Sequence, residues 1–230
     1  MNAVMDMRTI MRRFARWHIW LGWLVAIPLL LWTASGLLMV ARPIEVVRGT
    51  TLRIEHPPQP VRITLNGSSA ETLLRDGRLI NQRGRSILLA TYPDGSAARI
   101  DLTTNRPLPA VDEAEARRAV IYAIKGGDRI SAARFFPAKA VPFDFRKSMP
   151  VWQVTLTDQT HVYVGRDTGE IEAVRTRWWR AFDFMWGLHI MDPVEREDTS
   201  HPLLIVSAAL ALVSVLLGTL LLFRRRKART

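Results

Sequence analysis

Five histidines are the residues of this chain best suited to chemistry, and three of them, His18, His189 and His201, stand where charged sequence gives way to apolar sequence. Neutral imidazole is the commonest protein ligand for a metal ion, and an ionisable group set in an apolar boundary is a functional candidate by default. His18 opens an uncharged run, with Gly22 one turn above it on nearly the same helix face and Gly36 five turns on. His189 closes a stripe of Trp178, Phe182, Met185 and His189, spaced as one face of a helix, so its imidazole belongs to an aromatic apolar surface. His201 precedes Pro202, a residue suited to the first position of a helix. Each also has an ordinary structural reading. His18 beside a helix-packing glycine is an interfacial polar residue, His189 is a belt residue of an amphipathic helix, and His201 is a helix cap. His56 in the segment HPPQP and His161 on the polar side of a hairpin read as solvated.

Other chemistries leave no trace. The sequence has no GxSxG, HExxH, GxGxxG or P-loop, which speaks against an ordinary hydrolase or nucleotide enzyme. The absence of cysteine excludes disulfides, iron-sulfur clusters, thiolate catalysis and covalent c-type haem.

The elements that must position these histidines are read from charge and hydropathy. At 48% hydrophobic and 23% charged residues the chain is neither disordered nor collagen-like. Its net charge of +11 sits mostly at the ends: Arg8, Arg12, Arg13 and Arg16 near one, Arg224, Arg225, Arg226, Lys227 and Arg229 at the other. Without residues 1–17 and 224–230 the remainder holds 23 bases against 20 acids. Nucleic-acid binding is disfavoured, because no basic groove with interleaved aromatics appears between the ends. Each basic end abuts an apolar run, 23 residues from Ile19 to Ala41 and 22 from Pro202 to Phe223, and about 20 suffice to cross a bilayer. The first run exceeds the usual apolar core of a secretory signal, so an uncleaved signal-anchor is expected. The positive-inside rule then gives a cytoplasmic basic N-terminus at 1–17, a first span at 18–41, a second at 201–223 and a cytoplasmic tail at 224–230. Residues 42–177 form a periplasmic domain, and 178–200 an interfacial amphipathic helix and linker. The expected location is a bacterial inner membrane, with Arg224 to Lys227 meeting anionic lipid.

The domain reads as α+β with an internal duplication, in repeats of about 61–109 and 112–174. Ser86 to Pro109 and Pro150 to Val174 both run strand, polar turn, strand, polar turn, and superpose at an offset of 64, Asp94 on Asp158, Ile100 on Val164, Thr104 on Thr168 and Asn105 on Gly169. Alternation of Trp152, Val154 and Leu156, then Val162 and Val164, predicts a half-buried hairpin. A helix is expected from Asp112 to Ile124, with acids at its start and Gly126-Gly127 beyond its end, and a weaker one from Ser69 to Leu74. Arg134 to Ser148, with Pro137, Pro142 and four phenylalanines, reads as an irregular loop on the sheet.

The helix DEAEARRAVIYAI followed by VWQVTLTDQTHVYVGRDTGEIEAV resembles the PepSY domain, a helix on an antiparallel sheet. HIWLGWLVAIPLLLWTASGLLMV, FMWGLHIMDP and a closing span ending in FRRRK resemble the PepSY-associated transmembrane proteins, over most of residues 12–227. The motifs are HxxxG at His18 to Gly22, SGLL at Ser35 to Leu38, and LH at Leu188-His189. Larger members of that family include ferric-siderophore reductases with b-type haem between helix histidines, and have about four spans where this chain has two. The resemblance implies haem b held by His18, His189 and His201, with Gly22 leaving room for a flat macrocycle.

Geometry limits how such a haem is shared. Eighteen residues from His18 to Gly36 span about 27 Å of helix, whereas two imidazole nitrogens on one iron are about 4 Å apart. His18 and His189 of one chain therefore serve different haems, completed by a homodimer or by a partner membrane subunit. Two functions follow as expectations. One is transmembrane electron transfer toward a ferric siderophore or another extracytoplasmic redox partner, the chain being a component of a haem-dependent reductase. The other is a cofactor-free, membrane-anchored module that binds, inhibits or scaffolds a partner.

Overall fold

A computed structural model describes residues 7–57, 59–61 and 74–227. The chain is α+β, with two long apolar helices at its ends and two four-stranded antiparallel sheets between them. It divides into a helical unit, Met1–Pro43 with Ala181–Thr230, and a sheet unit, Ile44–Arg180.

The helical unit is built on α1 (Met7–Val40) and α5 (Pro202–Lys227). α1 starts within the basic segment expected to precede the first span, since nothing between Met7 and Trp17 opposes a helix: the segment lacks proline and glycine. Both helices are long and apolar enough to cross a membrane, and only 11% of each apolar window is buried. A soluble core helix would be mostly covered. Here Trp17, Trp20, Trp23, Ile27, Leu203 and Leu220 all face outward. The buried positions are small, Ser35, Ala211 and Ser214, with Val25, which allows close helix approach. The last part of α4 (Arg177–His189) also belongs to this unit, followed by a turn in which Asp192 accepts the backbone N–H groups of Glu195, Glu197 and Asp198.

The sheet unit begins with a one-turn helix, α2 (Ile44–Val47), and two meanders follow. The first is β1 (Asp76–Gln82), β2 (Arg85–Thr91), β3 (Ala97–Asp101) and β4 (Arg106–Pro107). The second is β5 (Ile130–Phe136), β6 (Val151–Leu156), β7 (His161–Gly165) and β8 (Ile171–Arg175). The duplication extends to individual hydrogen bonds. Asp94 accepts from the N–H of Ser96 as Asp158 does from that of Thr160, and Tyr92 and Leu156 each bond to the carbonyl at the same place in the turn. Gly95 and Gln159, then Asn105 and Gly169, hold the same left-handed backbone at φ of 83°, 65°, 56° and 67°.

Before the second meander lies α3 (Glu113–Ala123), whose N-cap Asp112 accepts the Glu115 N–H. The alternation puts Val154, Leu156, Val162, Val164 and Val174 against Ala116, Ala119 and Val120 of α3 as the main core. The opposite sheet face is covered by the segment after β5, where Phe145 stacks on Tyr163 at 4.7 Å and packs with Val151 and Ala173. Arg134 to Phe136, expected in a loop, instead complete β5, with Phe135 beside Trp152; pairing with β6 outweighs the aperiodic sequence there. The helix expected from Ser69 to Leu74 lies outside the described residues except for Leu74, which is irregular.

Candidate functional site

His18 sits on α1 against α5. Its Nδ1 is 2.9 Å from the backbone carbonyl oxygen of Ser214 and 3.5 Å from the Ser214 hydroxyl. A carbonyl only accepts, so Nδ1 carries the proton and donates, leaving the lone pair on Nε2. Gly218, one turn after Ser214, makes room for the ring: a Cβ there would stand 2.8 Å from His18 Cε1. Around Gly22, by contrast, an added Cβ would meet nothing within 4 Å.

His189 repeats the arrangement with different parts. Its Nδ1 lies 3.0 Å from Ser35 Oγ of α1. The Ser35 hydroxyl donates to the Leu31 carbonyl at 2.6 Å, so toward the imidazole it accepts, and Nδ1 is again the protonated nitrogen. Gly36 lies beside the ring, where an added Cβ would make an ordinary contact 3.6 Å from Cε1, and Trp32 Nε1 donates to the His189 carbonyl at 2.7 Å. Among the described residues neither Nε2 makes a hydrogen bond, and neither is sealed inside the fold.

The structure thus brings each histidine to a serine-glycine seat and keeps the two histidines apart. His18 and Ser35 are 17 positions apart on α1, about 25 Å of helix. His201 does not join either. It caps α5, its Nδ1 accepting the Leu203 N–H at 3.4 Å and its carbonyl that of Leu204. Among the described residues no group of three or more His, Asp and Glu is placed to hold a metal ion.

In the sheet unit His56 is exposed, as expected, while His161 departs from the solvated state expected of it. His56 stacks on Tyr122, with ring centroids 3.8 Å apart, and Nε2 reaches the Tyr122 carbonyl. His161 donates from Nδ1 to Asp144 Oδ2 at 3.0 Å, while Tyr163 Oη donates to Asp144 Oδ1 at 2.5 Å and accepts from Gln153 Nε2 at 2.6 Å. Burial alone would raise the Asp144 pKa, but the bonds from His161 and Tyr163 prevail and hold it below the ordinary carboxylate value. Burial and the Asp144 carboxylate push the Tyr163 phenol well above its usual value, so it stays neutral. The sequence hid this cluster because Asp144 reaches the sheet from the covering segment, 17 residues before His161.

A cleft of about 670 Å³ in the sheet unit lies between Leu79–Arg83 of the first repeat and Gly169–Glu172 of the second, with Arg53, His56 and Tyr122 along its sides. Comparison with protein-family models, with curated proteins and with solved structures gave no match to this chain.

Proposed function

We propose that this chain is a PepSY-associated protein of the bacterial inner membrane that carries electrons across the bilayer on b-type haem held by His18 and His189. In this reading α1 and α5 cross the membrane, the basic ends lie in the cytoplasm, and residues 42–177 stand in the periplasm. The outward apolar surface of both helices and the arginines at the ends support it.

One observation carries the cofactor assignment: both histidines donate Nδ1–H to a fixed acceptor and keep Nε2 open. Ligating histidines have this arrangement, because the acceptor fixes the tautomer and ring direction and raises the basicity of the other nitrogen. An iron bound at Nε2 would supply reversible one-electron transfer. The chain's own residues do the rest. Ser214 and Ser35 orient the rings, Gly218 admits that of His18, and the free space at Gly22 suits a macrocycle beside His18. Each site would be completed by a residue of a second copy or of a partner membrane subunit. Two sites about 25 Å apart along the helix give electrons a path from a cytoplasmic or quinone donor to a periplasmic acceptor such as a ferric siderophore. His201, committed to capping α5, is left out of the ligand set.

The test is haem content per chain in His18→Ala and His189→Ala purified in detergent. Each should lose about half of the haem while expressing at ordinary levels, and a full complement in either variant removes that histidine from the set.

The cleft between the repeats favours a second reading, a membrane-anchored periplasmic binding module without cofactor. A colourless protein, produced with haem available, would select it.

A further inference from the structure

Four arginines, Arg83, Arg85, Arg99 and Arg118, line a cavity of about 180 Å³ between the first meander and α3, and one carboxylate, Glu115, lines it with them. The floor is saturated. Arg99, with its side chain only 2% exposed, grips Glu115 through Nη1 to Oε1 at 2.6 Å and Nη2 to Oε2 at 3.1 Å, and also donates to the Pro109 carbonyl and to Gln82. Arg83 donates to the same Glu115 Oε1 at 2.7 Å. These three residues form one fastening between the repeats, beside the Arg78–Glu170 pair and the Gln82 bond to the Thr168 carbonyl: the Glu115 carboxylate satisfies the buried Arg99 and the part-buried Arg83.

Arg85 and Arg118 are superfluous to that fastening. Both are exposed, both line the cavity, and neither side chain makes a hydrogen bond or close ion pair with a described residue. The presence of Arg118 has a cost. Arg118 and Arg99 repel Arg83, adding to the burial that already disfavours its charged form. Glu115 offsets one of the four charges, and Asp101, which feels Arg85, offsets at most one more. An excess of at least two positive charges is left around a small, half-enclosed space. Guanidinium groups present paired N–H donors that match phosphate oxygens two at a time, and a phosphate dianion carries the charge that is lacking.

We infer that the cavity bounded by Arg83, Arg85 and Arg118 above the Arg99–Glu115 pair is a binding site for a phosphate group. This site lies wholly in the sheet unit and is independent of the haem reading.

Inorganic phosphate is titrated calorimetrically into the full chain in detergent, at constant ionic strength held with chloride. The expected result is saturable binding of one phosphate per chain, weakened at least tenfold in Arg118→Gln and in Arg85→Gln. Arg117→Gln, one residue away and paired with Glu113, should bind within twofold of the parent. Because Arg85 and Arg118 are exposed rim residues, their replacement leaves the core intact. No saturable binding by the parent chain, or equal affinity in Arg118→Gln and Arg117→Gln, overturns the proposal. Repeating the titration in nanodiscs identifies the source. Phosphatidic acid lowering the apparent phosphate affinity relative to phosphatidylcholine alone supports a lipid phosphomonoester as the occupant, and unchanged affinity supports a soluble phosphate.

Discussion

At the scale of single residues, the nature of the Nδ1 acceptor separates His18 from His189. The acceptor of His18 is a main-chain carbonyl, which no substitution of Ser214 removes, whereas that of His189 is the Ser35 hydroxyl itself. Ser35→Ala should therefore weaken haem retention at the His189 site about 10- to 100-fold, the usual effect of losing such a partner, while Ser214→Ala leaves retention unchanged. Haem titration of the two apoproteins checks the contrast, and equal affinities would contradict it. Tyr163 gives a pH signature of the sheet unit. Its folded-state pKa is raised by burial and by Asp144, so its contribution to stability is complete below the unfolded value near 10 and is lost as pH rises beyond it. Between about pH 10 and 12 the parent melting temperature should thus fall more steeply than that of Tyr163→Phe. Parallel curves would show that the phenol does not titrate with unfolding. The sequence singled out His18 and His189 by their apolar boundaries. It left their partners unassigned, although the Ser214 to Gly218 spacing, two small residues one turn apart in an apolar helix, was a readable signal of a close approach.

At the scale of elements, glycine size decides where the helices accept an imidazole. A Cβ on Gly218 would stand 2.8 Å from His18 Cε1, and one on Gly36 3.6 Å from His189 Cε1, the first a clash and the second an ordinary contact. Gly218→Ala should displace the His18 ring, lower haem content and destabilise the helix pair by about 1–3 kcal/mol, as overpacking generally does. Gly36→Ala should change neither, and thermal melting with haem quantification on both variants decides it. The repeated meander was legible because turns are local. Asp94 and Asp158 cap equivalent turns through their own side chains, and the left-handed position is kept even where Gly95 becomes Gln159. The outer strands were not legible. β1 is mostly polar and half-exposed, and β5 pairs with β6 across the long segment from Pro137 to Pro150, a contact that local periodicity does not encode.

At the scale of the whole molecule, charge at the ends and apolar length gave the two-helix plan, and the near-neutral middle marked the sheet unit. The pairing of helices with each other was beyond reach, because uniformly apolar runs carry no stripe to show which side meets a neighbour. The proposed topology is testable because the chain has no cysteine. In intact spheroplasts a membrane-impermeant maleimide should label Lys139→Cys, in the exposed segment of the sheet unit, and should label Arg229→Cys only after lysis. The opposite pattern would invert the topology and the direction of electron flow. The central claim, that His18 and His189 hold haem, is tested most directly by the reduced-minus-oxidised absorption spectrum of the detergent-purified chain. The reduced protein should show a sharp α-band, with about one haem per chain in a homodimer that shares two, and should lose it when both histidines are replaced by alanine. A protein that stays colourless when expressed with haem available would contradict it.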